Sequence, residues 1–383
     1  MKKLLFLLPV FSALMTLQAQ NVVITGTTTI IPDGNDVNLY RCDGNLMTPI
    51  ASDVVKDGKF WITTEISEPE LKASLGCFAK ELPISFRFLH LTPGAEVSVT
   101  ADDISVGTWK VVSNVPKQKE EDLYGENSQP LWKEYYSYKI KNDDSRSTEL
   151  RAKMDSLQNL IFLNDIELMK GLPHTDIWFE HLVRLSKFCT NSPHYSYSPK
   201  LEELYATLTP AELESDAGKK TTAYLFPPKV VEEGDTVPED DLFDLSGTVH
   251  HLSDLRGKWV LIDVWSAGCG PCIKAFPEIS ELAARYKNDL EAVSLSLDEE
   301  GAWIRSSAAH NLSWHNWSDK KVDTGILQKF GVKGFPYFIV VDPQGIVRVK
   351  TFGYSTGKLN KIITPLIAPA ASDTLNVQDA GGV

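Results

Sequence analysis

Positive charge is in short supply in this chain of 383 residues: 38 Lys and Arg stand against 51 Asp and Glu, for a formal net charge of −13. That balance argues against a broad nucleic-acid-binding face, which needs clustered basic side chains. Cysteine is scarce as well, at five. Five are too few to staple a scaffold, and the odd count leaves at least one unpaired. Leu4 to Leu17 is an apolar run with no charge, and its 14 residues fall short of the roughly 20 that span a bilayer. A phosphate-binding glycine loop, a Gly-x-Ser-x-Gly elbow and a His-Glu-x-x-His pair are all missing, so the commonest nucleotide, hydrolase and zinc-protease motifs do not apply. What is present suits ordered globular domains. The chain is 43% apolar and 23% charged, with 24 Gly and 21 Pro, which excludes collagen-like, low-complexity and disordered classes. At about 150 residues per domain the length suggests two or three domains, each able to bury a core.

Met1-Lys2-Lys3 ahead of the apolar run, with Leu17-Gln18-Ala19 after it, reads as a secretory signal peptide over residues 1–19, leaving Gln20 as the new terminus. No cysteine stands at the cut, so no lipid anchor is expected, and no stable membrane anchor follows later in the chain. From Asn21 to about Val115 the signals are those of strands. Val37, Leu39 and Arg41 alternate with polar neighbours, and Lys56-Asp57-Gly58-Lys59 is a hairpin turn feeding Phe60-Trp61-Ile62. Thr92-Pro93-Gly94 is a second turn. Cys42 and Cys77 lie in this stretch, where they read as unpaired core residues.

The pattern changes at Pro116. Leu150, Met154, Leu157 and Ile161 recur at helical spacing. Thr175-Asp176 can cap a helix through Trp178 and Leu185, and Thr209-Pro210-Ala211-Glu212 has the form of a capping box. The aromatics Trp132, Tyr135, Tyr136 and Tyr138 read as packing, and Cys189 as inert. The acidic stretch Glu232 to Asp244 lacks calcium-ligand spacing and reads as a solvated loop. Beyond it strands and helices alternate, the pattern of an α/β layer. Trp259 to Trp265 and Glu291 to Leu297 are buried strands, and Pro271 to Lys287, Glu300 to Asn311 and Thr324 to Phe330 are helices. Pro336 to Val341 and Val347 to Phe352 form a hairpin around Asp342-Pro343-Gln344-Gly345, and a last helix covers Thr356 to Ile367.

Cys269-Gly270-Pro271-Cys272 falls at the seam between the first buried strand and the helix after it. Orphan N–H groups and the dipole at a helix start favour a thiolate on Cys269, and the thiolate is the attacking species in disulfide exchange. Cys272, one turn in, is placed to resolve a mixed disulfide while shielded from solvent. A zinc half-site would need a second Cys or His pair, and neither His250-His251 nor His310 with His315 has metal spacing, so no metal is expected. A bridge closing so short a loop would stabilise little.

The segment Asp263-Val264-Trp265-Ser266-Ala267-Gly268-Cys269-Gly270-Pro271-Cys272, with Pro277 beyond it and Gly334-Phe335-Pro336 before an apolar strand, resembles the active site and cis-proline loop of the thioredoxin superfamily. Leu252-Ser253-Asp254-Leu255-Arg256-Gly257-Lys258 and the spacing from Cys272 to Pro336 are similar to its exported TlpA/ResA-like branch. The patterns along the chain give a multidomain α+β protein, with an antiparallel β domain over 20–116, a helical region over 117–224 and a disordered tail over 369–383. The resemblance implies that 225–368 is an α/β thioredoxin-like domain with an accessory N-terminal part ahead of it. It also implies Cys269 as nucleophile, Cys272 as resolving thiol, Pro336 as the cis-proline, and Phe335 as a source of backbone groups for an extended substrate strand. Trp265 matches the aromatic beneath the site, grouped here with the substrate-contacting residues, and Pro277 the helix-kinking proline. Two departures stand out. Gly268 replaces the usual tryptophan before the first cysteine, and Ala275 stands where many ResA-like proteins carry a glutamate. Asp263 matches the buried carboxylate of thioredoxin. In an apolar strand such a group is raised in pKa by desolvation and can take the proton of the buried thiol.

The expected activity is that of a periplasmic thiol-disulfide oxidoreductase that reduces protein disulfides, without cofactor, and is restored by a membrane electron donor. The Gly-Pro pair resembles the reducing members of the family. Two rivals differ in what they require. A peroxiredoxin-like peroxidase places Thr and Pro before a lone reactive cysteine, a pattern that Ser266 fits loosely and Ile262 does not. A binding or sensing module would use residues 21–224 to hold a partner, with the thioredoxin-like part as scaffold.

Overall fold

The structure is a computed structural model that describes residues 20–43, 46–80, 82–141, 148–191, 197–322 and 324–367. The expected leader and the expected tail lie outside these. The described chain forms two compact units, one made of residues up to Cys42 with Thr48–Ile161, the other running from Phe162 onward.

The first unit holds eight strands: β1 (Gln20–Thr28), β2 (Asp36–Asp43), β3 (Leu46–Val54), β4 (Lys59–Ile66), β5 (Leu71–Cys77), β6 (Phe86–Leu91), β7 (Glu96–Ala101) and β8 (Lys110–Ser113). They pair as two four-stranded sheets, β4-β1-β7-β8 and β3-β2-β5-β6. Alternation decides which side chains meet: in β7 Val97, Val99 and Ala101 are buried and Glu96, Ser98 and Thr100 face out. Val22 and Ile24 of one sheet and Leu39 and Leu75 of the other belong to a single core, so the unit is a sandwich. β1 with β4, β7 with β8, and β5 with β2 and β6 pair antiparallel as expected, whereas β1 runs parallel to β7. Between β3 and β4, Asp57 and Gly58 both take positive φ (50° and 65°), and Lys56 and Lys59 exchange backbone hydrogen bonds. This is the turn that Asp-Gly favours. Cys77 is buried and Cys42 half-buried, with no disulfide on either.

Seven helices follow: α1 (Pro116–Asn127), α2 (Gln129–Lys141), α3 (Thr148–Met169), α4 (Asp176–Asn191), α5 (Ser198–Tyr205), α6 (Pro210–Glu214) and α7 (Asp216–Leu225). The division between the two units falls within α3. Both expected caps form. Thr175 Oγ1 accepts the Trp178 N–H at 3.2 Å, and Thr209 and Glu212 complete a reciprocal capping box. Trp132, Tyr135 and Tyr136 pack on one another with ring centroids 5.4–5.7 Å apart.

The rest of the second unit comprises β9 (Leu242–Phe243), β10 (Val249–His250), β11 (Trp259–Trp265), α8 (Gly270–Arg285), β12 (Leu290–Ser296), α9 (Glu300–His310), β13 (His315–Trp317), α10 (Ile326–Lys329), β14 (Tyr337–Val341), β15 (Val347–Phe352) and α11 (Lys358–Ile367). Its sheet has the order β13-β12-β11-β14-β15. β11 is parallel to β12 and antiparallel to β14. Because β11 is central and covered on both faces, it reads as an apolar run broken only by Asp263. Val260, Ile262 and Val264 join one core with Val293, Leu295 and Ile339. Leu261 and Trp265 join the other with Cys272, Ile279, Ala292 and Phe338. Strand parity therefore puts Asp263 on the face that α8 covers.

One expectation gives way. The acidic stretch from Glu232 is not simply solvated: Thr236 bridges to Ile346, Val237 is buried, and Asp240 is buried with both oxygens on Lys329 Nζ at 2.7 and 2.8 Å. A cation 89 residues later along the chain neutralises what composition alone presents as a solvated charge run.

Candidate active site

Cys269 is the N-cap of α8, where the chain leaves β11. Its Sγ accepts the Cys272 N–H at 3.1 Å, one of the donors that a helix start leaves unpaired. Cys269 and Cys272 form a disulfide with their Cα atoms 5.3 Å apart. Cys272 is 0% exposed, as expected of a resolving sulfur, and Cys269 is only 4% exposed. The outer sulfur is thus less open than expected. What opens the approach is the absence of neighbours: Gly268 and Gly270 are exposed, and a Cβ on either would meet no atom within 4 Å.

The loop that delivers Cys269 is fastened by Asp298, a buried carboxylate. Its Oδ1 accepts the Ser266 hydroxyl at 2.8 Å and its Oδ2 the Ala267 N–H at 2.7 Å, while the Cys269 N–H donates to the Ser266 carbonyl at 3.0 Å. Sequence reasoning missed Asp298. The signal was available in Ser294-Leu295-Ser296-Leu297-Asp298, where polar residues at alternate positions of a buried strand and its end must share one face and find partners there.

Asp263 is fully buried, and burial pushes its carboxyl up to about 7, against the single opposing hydrogen bond from Ser294. Ser294 Oγ donates to Asp263 Oδ2 at 3.0 Å, and Oδ1 has no partner among the described residues. Cys272 and Ala275 of α8 lie in the layer that Asp263 faces. Trp265 is wholly buried, edge-on to Phe276 with centroids 5.5 Å apart. It therefore supports the site from beneath and offers a substrate no surface, which corrects its grouping with the substrate contacts. The Phe335–Pro336 peptide bond is cis, Pro336 is buried, and Phe335 is 38% exposed. Phe352, 63% exposed, comes so close to Gly334 that a Cβ there would meet its ring at 2.9 Å.

Other polar groups stand apart from these sulfurs. Glu278 of α8 accepts from Tyr354 Oη, Asn360 Nδ2 and the N–H groups of Gly357 and Asn360 at 2.7–3.1 Å. It fastens the start of α11 to α8. His250 stacks on Trp317 and bonds Asp244, and His315 pairs with Glu291. Among the described residues no three His, Cys, Asp or Glu side chains gather as a metal site, and no helix is long and apolar enough to cross a membrane.

The sequence model of the AhpC/TSA family matches residues 234–350. The thiol-disulfide oxidoreductase ResA of Bacillus cereus is 31% identical over 136 residues, which cover 34% of this chain and 78% of that protein. The thioredoxin-like protein YneN of Bacillus subtilis is 29% identical over 132 residues, covering 33% of this chain and 76% of YneN. Among solved structures, the thioredoxin domain of a thiol-disulfide oxidoreductase from Bacteroides vulgatus is 27% identical, covering 36% of this chain and 99% of that domain, with a TM-score of 0.33. With a disulfide-forming cysteine pair at a helix start and a cis-proline in its C-terminal α/β part, the chain belongs to the ResA family of thiol-disulfide oxidoreductases.

Proposed function

We propose that this enzyme reduces protein disulfides in the periplasm after a leader over residues 1–19 has been removed. The Cys269 thiolate attacks one sulfur of a partner disulfide, forming a mixed disulfide and expelling the partner's other sulfur as a thiolate, which takes up a proton. The Cys272 thiol gives its proton to the Asp263 carboxylate and attacks Cys269 Sγ. The Cys269–Cys272 disulfide forms, the second partner thiolate leaves, and two electrons have passed to the partner. An external thiol donor on the membrane side returns the pair to its dithiol state. Phe335, beside the cis-proline, is the expected contact for the partner's backbone.

The observation that carries this reading is the hydrogen bond from the Cys272 N–H to Cys269 Sγ at the start of α8. A donor already aimed at that sulfur favours its anion and so favours attack. Replacement of Cys272 by Ser should leave Cys269 disulfide-linked to its partner, seen as a higher-mass species that a reductant dissolves. If no adduct forms while insulin reduction is also absent from the wild type, protein disulfides are not the substrate. A redox titration fixes the direction: a potential as oxidising as that of DsbA, about −120 mV, would make the enzyme an oxidant instead.

A further inference from the structure

Asp263 does not stand alone in its layer. Ser294 Oγ, which donates to Asp263 Oδ2, itself accepts the indole N–H of Trp314 at 2.9 Å. An indole has only a donor, so it occupies one acceptor position of the hydroxyl and keeps the hydroxyl proton from pointing its way. The same contact draws electron density from Oγ and strengthens its O–H as a donor. We propose that Trp314 and Ser294 are positioning residues that aim a polarised hydroxyl at Asp263 and hold its carboxylate in the charged form against burial. This deepens the reading of Asp263 as proton acceptor and rests on it.

Geometry leaves these two residues as the means of control. In register, β12 presents Ser294 to Asp263 and β14 presents Phe338, which carries no charge. From α8 the layer receives Cys272, held in the disulfide, and Ala275. Glu278, further along α8, is engaged with Tyr354 and α11. From α9, His310 lies against Trp265 and Phe276 at 6.3 and 5.7 Å. Burial raises the Asp263 carboxyl and the Ser294 hydrogen bond lowers it. The indole cannot pass a proton onward, so the arrangement sets an equilibrium and is not an exit path.

The test uses the full-length oxidised protein, in which neither active-site cysteine titrates. The infrared C=O band of protonated Asp263, assigned by its loss in Asp263→Asn, is followed against pH. Ser294→Ala should move its midpoint upward by on the order of one pH unit, the size expected for losing one hydrogen bond to a charged group. Trp314→Phe should move it the same way by less, and Ser294→Thr, which keeps the hydroxyl, should bring it back toward wild type. Disulfide-reduction rates against pH should show their rising limb displaced in the same order. If Ser294→Ala leaves the infrared midpoint unmoved in a protein with native circular dichroism, the inference is wrong. If the midpoint moves but Asp263→Asn keeps the rising limb, the tuning stands and the proton-acceptor reading of Asp263 falls.

Discussion

At the scale of single residues, Asp263 carries most of the consequence. Its carboxyl is raised from 3.8 to about 7 by burial, so the folded state holds a proton that the unfolded chain releases. For a raised carboxylate the stability is fully present below pH 3.8 and is lost as pH climbs through 7, by about 4 kcal/mol in all. Asp263→Asn should therefore gain stability over wild type at pH 8 and little at pH 4, as read from urea unfolding of the oxidised proteins. It should also flatten the pH dependence of disulfide reduction between pH 6 and 9; unchanged rates across that range would remove the proton-acceptor role. Asp263 was legible in the sequence because an acidic residue inside an apolar strand has few ways to be satisfied. The alternation of Ser294, Ser296 and Asp298 marks a shared face but not the partners on it: Asp263 and Trp314 for Ser294, and Ser266 for Asp298, lie 20 or more positions away, and only the folded sheet brings them together.

At the scale of elements, two carboxylates fasten helices to their surroundings. Asp298 holds the loop that ends on the cap of α8. Asp298→Ala leaves the Ser266 hydroxyl and the Ala267 N–H without their acceptor, at a cost of about 3 kcal/mol, and should slow attack by Cys269 as its loop loosens. Chemical unfolding and alkylation kinetics of the reduced enzyme measure the two effects. Glu278 caps α11 from α8, and the four bonds it accepts hold it below the ordinary Glu range despite burial. For a depressed carboxylate the stability is present above the unfolded value near 4.5 and is lost as pH falls through the folded one. Glu278→Ala should cost about 2 kcal/mol at pH 7 and less in acid, with protection from amide exchange lost first in α11. The buried strands and long helices could be read from periodicity. The solvated reading of the acidic stretch failed because periodicity carries no information about Lys329, the distant cation that permits Asp240 to be buried.

At the scale of the whole molecule, the antiparallel sandwich, the helices and the α/β part were all visible as changes of pattern along the chain. The parallel pairing of β1 with β7 was not visible, because it joins segments about 73 positions apart and leaves no local turn signal. The exported form should begin at Gln20, and intact-mass measurement on protein recovered from the periplasm checks this. Retention of residues 1–19 would mean that the basic, apolar start serves as an anchor.

The two bare positions beside the outer sulfur leave the rim of the active site unfurnished. Since a Cβ at Gly268 or Gly270 would meet no atom within 4 Å, a larger side chain starts from open space there, and selectivity can be rewritten at these positions. Tryptophan at position 268 should narrow the range of accepted disulfides while leaving the melting temperature nearly unmoved.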